Sequence, residues 1–201
     1  YEAKAREVMS NSTRTEERDA VKKTNVNLLE TESGDQIFEN KEYTKIVEHS
    51  REGNGKAKVC NVEFLSEDRL PLQIVEGNCK GIVRISIIFY EQCQFSVGYH
   101  IRDEKNEPVL GSNTIYEGLG EISGQPGDRI IVEFETDLPL KEGRYNIMTV
   151  LSTTLFINRT VEFIDITKDG LFFDVLERKP YRIWNMVQLP NSVRIKKIEK
   201  K

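Results

Sequence analysis

From Gly55 onward the chain runs in short stretches of alternating apolar and polar side chains, and most of them stop at a cluster of Gly, Pro, Asn or Asp. Alternation with a period of two places successive side chains on opposite faces of an extended strand. The pattern predicts strands over 57–65, 82–90, 95–102, 109–116, 129–136, 144–152, 159–165 and 170–176. Turn signals fall at Glu76-Gly77-Asn78, Asp103-Glu104-Lys105-Asn106, Gly124-Gln125-Pro126-Gly127, Lys141-Glu142-Gly143 and Lys168-Asp169-Gly170. No helix of ten or more residues is read after Gly55, which removes a βαβ architecture. The succession of short strands predicts an all-β antiparallel sandwich.

The same alternation assigns faces. In 82–90, Val83, Ile85, Ile87 and Phe89 share one side, while Arg84, Ser86, Ile88 and Tyr90 share the other. In 95–102, Phe95, Val97, Tyr99 and Ile101 oppose Ser96, Gly98, His100 and Arg102. One face is core; the other is polar, aromatic and charged, and such a face is ordinary solvated surface unless something assembles on it.

Residues 1–52 read differently. They hold 9 Lys or Arg and 12 Asp or Glu, and their aromatics are Tyr1, Phe38 and Tyr43. The stretch from Ser10 to Asp19 has no apolar side chain, so it cannot bury enough surface to offset its ordering entropy. This segment is expected to be a polar linker, partly disordered or carrying short helical pieces at 2–9 and 16–29, with the sandwich occupying 53–201. The chain opens without Met or a signal-peptide pattern and reads as a fragment. The longest strongly apolar run, 85–90, is far short of the roughly 20 residues that span a bilayer, which predicts a soluble domain. A net charge of -4 removes a general nucleic-acid binder, although residues 178–201 form a basic tail with eight Lys or Arg and one Glu.

Catalytic and metal motifs fail on their spacing. Arg51 to Ala57 has the outline of a phosphate-binding loop, but Ser50 stands where its first Gly belongs and Ala57 where its hydroxyl belongs. His49 and His100 are 51 residues apart without an HExxH context. There is no GxSxG, and a convergent carboxylate pair cannot be read from the sequence. Cys60, Cys79 and Cys93 are odd in number with no CxxC, and are expected to be small buried or half-buried residues in a reducing compartment. No catalytic residue and no metal site is assigned.

The ordered set of motifs resembles the C-terminal carbohydrate-binding domain of Wzt-type proteins, the ATP-binding subunits of O-antigen and related polysaccharide ABC transporters. The resemblance rests on Gly55-Lys56-Ala57-Lys58-Val59-Cys60-Asn61-Val62-Glu63-Phe64-Leu65, then Phe95-Ser96-Val97-Gly98-Tyr99-His100-Ile101-Arg102-Asp103 and Val109-Leu110-Gly111-Ser112-Asn113-Thr114. Leu140-Lys141-Glu142-Gly143-Arg144-Tyr145-Asn146-Ile147, Gly170-Leu171-Phe172-Phe173-Asp174-Val175 and Val187-Gln188-Leu189-Pro190 complete it. It implies an immunoglobulin-like sandwich that binds the exported polysaccharide without catalysis, in the cytoplasm at the inner face of the bacterial cell membrane. It also implies that residues 1–52 tether an ATPase domain that holds ATP and Mg, a permease partner, and a homodimer exchanging C-terminal strands. No cofactor is expected in this part.

A sugar site needs an aromatic face for C–H groups and planar polar side chains for hydroxyls. On the polar face the expected residues are Tyr90, His100 and Arg102, joined by Arg84 and Ser86 if the two strands pair. Asn113 and Tyr116 on the next strand, and Asn146, follow. Tyr145 and Phe173 are assigned to the core. Trp184 is either packed structurally, a sugar platform or a dimer contact, with packing placed first. Two rival readings remain at this point: a dimerisation or protein-interaction sandwich, and a sandwich-fold glycan hydrolase or lyase. The charges on the polar face weigh against the first, since interface cores are depleted in charge.

Overall fold

The computed structural model describes residues 38–156 and 160–197; the helical pieces expected at 2–9 and 16–29 lie outside the described residues. Within them the chain forms helix α1 (Lys41–Val47) and strands β1 (Ala57–Leu65), β2 (Ile74–Glu76), β3 (Cys79–Phe89), β4 (Cys93–Arg102), β5 (Pro108–Asn113), β6 (Ile122–Gly124), β7 (Arg129–Leu138), β8 (Gly143–Phe156) and β9 (Thr160–Leu176). A small sheet has the order β1-β3-β7 and a larger one the order β2-β9-β8-β4-β5, with β6 paired to the start of β4.

The two inward apolar sets read from alternation face each other. Val83, Ile85, Ile87, Phe89, Phe95, Val97, Tyr99 and Ile101 are all buried. Ring pairs cross between the sheets: Phe89 on Phe95 at 5.0 Å, Tyr99 on Phe134 at 5.0 Å, and Phe64 on Phe173 at 4.8 Å. Aromatic rings carry the largest apolar area per side chain, so these contacts hold the layers together. Tyr145 and Phe173 are core residues as expected, stacked at 5.8 Å. The expected all-β, immunoglobulin-like sandwich is the fold observed, with one departure from antiparallel pairing: the short edge strand β2 runs parallel to the end of β9.

Four expectations are corrected. The strands expected at 159–165 and 170–176 are one strand, β9, and Lys168-Asp169-Gly170 is a bulge within it. Ile147 pairs with Leu171 and Thr149 with Thr167, so these three residues oppose Met148 alone. Gly170 fits a crowded place there, because a Cβ would lie 3.2 Å from the Tyr43 ring and 3.1 Å from the Ile147 carbonyl oxygen. The strand expected at 109–116 ends at Asn113, whose side-chain oxygen accepts from the backbone N–H of Ile115 at 3.0 Å and of Tyr116 at 2.9 Å and so starts a turn.

The third correction concerns the linker, whose end at residue 52 cuts through packed structure. Asn40 caps α1 by accepting from the N–H of Glu42 and Tyr43, and Tyr43 and Val47, one helical turn apart, are buried in the core. The Tyr43 hydroxyl lies 2.9 Å from Thr167 Oγ1, which lies 2.6 Å from Thr149 Oγ1. Upstream, Asn40 N–H donates to the Cys60 carbonyl at 3.1 Å. The C-terminal segment, by contrast, touches the sandwich through buried Ile183 and a bridge from Val187 to Leu140. Trp184 is 80% exposed, with Arg182 over its ring at 5.4 Å, so the expectation that it packs inside is overturned.

Candidate functional site

Consecutive strands β3 and β4 do not pair; the chain crosses from one sheet to the other between Phe89 and Cys93. Their polar faces are therefore the opposite outer surfaces of the sandwich, and the expected single cluster of Tyr90, His100, Arg102, Arg84 and Ser86 does not form. On the small sheet, Arg84 is 5% exposed and bonded through Nε to Glu133 at 2.7 Å, with Glu63 at 3.4 Å. Burial alone would push the Glu133 carboxyl up, but hydrogen bonds from Arg69 and Arg84 outweigh it and hold the carboxyl below the usual carboxylate range. Ser86 is buried, and Tyr90 lies just past β3 with the Lys58 ammonium 5.7 Å from its ring centre. Arg84 is thus part of a structural ion-pair network.

The larger sheet does assemble a site. His100, Asn113 and Tyr116 share a concave pocket of about 320 Å³ on its outer face. Register explains its shape. Gly98 of β4 lies between Asn113 of β5 and Val150 of β8, His100 lies between Gly111 and Met148, and Ser96 faces Ser152. Gly98 and Gly111 bring the floor down to backbone level. A Cβ on Gly98 would lie 3.0 Å from Asn113 Cβ, and one on Gly111 would sit on the Tyr99 carbonyl. Tyr116, 81% exposed in the turn after β5, stands at the rim.

The pocket's polar groups are neutral. His100 has its pKa pushed below the ordinary value, first by loss of water around the ring and then by the charge of Arg102. At neutral pH its imidazole therefore offers one donor and one acceptor. Asn113 spends its oxygen on two backbone N–H groups and keeps its amide N–H₂. The Ser96 hydroxyl donates to the Ser152 carbonyl at 3.0 Å. Arg102 and Asn146 lie next to the pocket but are committed to each other. Arg102 Nε donates to Asn146 Oδ1 at 3.0 Å, and Nη2 donates to the Lys168 carbonyl exposed by the β9 bulge. Asn146 is 4% exposed and also donates to Asn106 at 3.2 Å.

Of the eight expected residues, His100, Asn113 and Tyr116 come together at this pocket, Arg102 and Asn146 support its flank, and Tyr90, Arg84 and Ser86 lie on the other sheet. Val150, Ser152 and Gly111 were missed; the available signal was an isolated glycine inside each of two predicted strands, which marks close backbone approach. Among the described residues no group of three or more His, Cys, Asp or Glu could hold a metal ion.

Comparison with known proteins follows the same lines. The Wzt C-terminal domain family matches residues 48–189. A crystal structure of the C-terminal domain of Wzt is similar at 22% identity and a TM-score of 0.63, covering 72% of this chain and 86% of that one. A β-D-mannosidase from Dictyoglomus thermophilum is far looser, at 17% identity and a TM-score of 0.34 over 54% of this chain and 13% of that one. So is a CARDB domain from Pyrococcus furiosus, at 15% identity and a TM-score of 0.32 over 62% of this chain and 97% of that one. No curated protein matches the chain in sequence.

Proposed function

The chain belongs to the Wzt C-terminal domain family, and from that premise we propose that this sandwich is a non-catalytic recognition module of a polysaccharide ABC transporter, holding terminal sugars of the exported chain in the pocket on its larger sheet. The observation that carries this reading is the glycine floor: Gly98, set between Asn113 and Val150, lowers the sheet enough to admit the edge of a sugar ring. Around it, His100, Asn113 and the serine hydroxyls can bond sugar hydroxyls, while Val150 and the Tyr116 ring face C–H groups.

In this reading ATP and Mg act in a separate ATPase domain, the permease meets the parent subunit, and the assembly works in the cytoplasm at the inner face of the membrane. No helix among the described residues is long and apolar enough to cross a membrane. The proposal includes a homodimer through the C-terminal segment, supported by the exposure of Tyr181, Trp184, Val193 and Ile195 along it.

The test is calorimetric titration of the protein with the polysaccharide exported by its source cell, with His100→Ala and Tyr116→Ala as pocket variants. Each variant should weaken binding by about tenfold or more, equivalent to about 1.4 kcal/mol. Absence of binding, or binding indifferent to both substitutions, sinks the proposal and leaves a protein-interaction sandwich in its place.

A further inference from the structure

We infer that the pocket on the larger sheet selects an uncharged sugar unit and excludes one bearing a carboxylate, phosphate or sulfate; this inference rests on the glycan reading above. None of the pocket's lining residues is Lys, Arg, Asp or Glu. An anion seated there would exchange water for a site with no opposite charge, which is costly unless several N–H donors replace the lost hydration.

Few such donors face the pocket, the Asn113 amide N–H₂ and one imidazole N–H of His100, and both are neutral. β4 and β8 lie inside the larger sheet, so their amides are engaged in ladders with neighbours on both sides. At the rim, the two turn amides that could form an anion-binding nest, those of Ile115 and Tyr116, both donate to the Asn113 side chain. The charge of Arg102 reaches His100, but its hydrogen-bond donors are spent outside the pocket. Arg102 bonds Asn146 and the Lys168 carbonyl and pairs with Asp169 at 3.4 Å, and Arg144 lies over the Phe172 ring at 5.4 Å. On the β5 wall the Ser112 hydroxyl donates to the Glu117 carboxylate, a negative charge. A neutral sugar meets none of these obstacles. Its hydroxyls reach His100, Asn113 and the serines, and its C–H edge meets Val150. Rejection by an uncharged lining is specificity achieved against the competitor rather than for the ligand.

The experiment is an NMR titration of the ¹⁵N-labelled protein, following the amides of Gly98, Gly111 and Asn113. The probes are neutral trisaccharides derived from mannan, rhamnan and glucan, and, as anionic counterparts, a uronic acid trisaccharide and a hexose 6-phosphate. Neutral probes should shift these amides saturably, with at least one bound about tenfold more tightly than any anionic probe. In Val150→Lys, which places an ammonium on the pocket wall, anionic probes should gain about tenfold. Equal or tighter binding of anionic probes at these amides overturns this inference alone and leaves glycan recognition standing, and so does a Val150→Lys protein that gains nothing. No shift with any probe overturns both readings.

Discussion

The carboxylate of Asp165 on β9 accepts a hydrogen bond from the backbone N–H of Val59 on β1 at 2.8 Å, so a side chain of the larger sheet closes the open edge of the smaller one. β1 is an edge strand, and its ladder with β3 is interrupted between Val59 and Asn61. Arg51 completes the closure: its Nε lies 3.2 Å from Asp165, and its Nη2 donates to the Val59 carbonyl. Both free backbone groups of Val59 are thus met by side chains, which also blunts the edge against pairing with another chain.

That clasp makes stability depend on pH. Burial raises the Asp165 pKa from 3.8 to about 6, outweighing the opposing pull of Arg51 and of the Val59 hydrogen bond. A folded pKa above the unfolded one means that the folded state binds more protons between about pH 4 and pH 6, so stability from this group is present below that window and lost as pH rises through it. The difference amounts to about 3 kcal/mol. Denaturant unfolding of the protein and of Asp165→Asn across this range should show the parent losing about that much relative to the variant as pH rises. A stability difference that stays flat with pH would refute the assignment.

Helix α1 should behave as part of the sandwich. Tyr43→Ala removes a ring buried between α1 and β9 and is expected to cost about 3–5 kcal/mol, as for other large core truncations. Tyr43→Phe keeps the ring and loses only the hydroxyl bonded to Thr167, which still has Thr149, so its cost should be about 1 kcal/mol. Chemical denaturation separates the two. A Tyr43→Ala protein as stable as the parent would return residues 40–52 to the linker.

Alternation made much of this fold legible, and its limits follow from the same physics. A period of two places Val83 and Phe95 on buried faces whatever their sheet, so alternation identifies the core, and the strand predicted over 57–65 matches β1 at both ends. The same period says nothing about which sheet a strand joins, and for that reason alternation groups Arg84 with His100 although they occupy opposite outer surfaces. Lys168-Asp169-Gly170 has the composition of a turn because a bulge makes similar backbone demands. Two buried side chains, Tyr43 and Val47, seat α1, too few to form a visible amphipathic stripe. β2 and β6, three residues each, are too short to register as alternation.

The two floor glycines should fail in different ways. A Cβ on Gly98 would lie 3.0 Å from Asn113 Cβ and 3.2 Å from the Ser112 carbonyl, a crowding that small shifts can absorb. Gly98→Ala is expected to fold with a loss of about 1 kcal/mol, while its filled floor weakens glycan binding. On Gly111 the Cβ would strike the Tyr99 carbonyl, a backbone atom fixed in the ladder, so Gly111→Ala should lose about 3 kcal/mol or more. Thermal melts paired with glycan titration check both. Unimpaired binding by a folded Gly98→Ala protein would remove the floor from the site.

Protonation of His100 provides the last test, and it separates the roles of two neighbours on one strand face. Loss of water around the ring and then the Arg102 charge lower its pKa, so the imidazole should remain neutral through the ordinary histidine range near about 6.5. Glycan affinity is therefore expected to stay level from neutral pH down through that range and to fall only in more acidic solution, where an imidazolium loses its acceptor. Arg102→Gln removes the like charge, and His100 should then titrate at higher pH, carrying the decline in affinity with it. The same substitution withdraws a donor from the Lys168 carbonyl and should cost about 1–3 kcal/mol of stability. The imidazole Cε1–H resonance, followed against pH in both proteins, reads the titration directly. A parent histidine titrating at or above its ordinary value would contradict the neutral donor and acceptor role given to it.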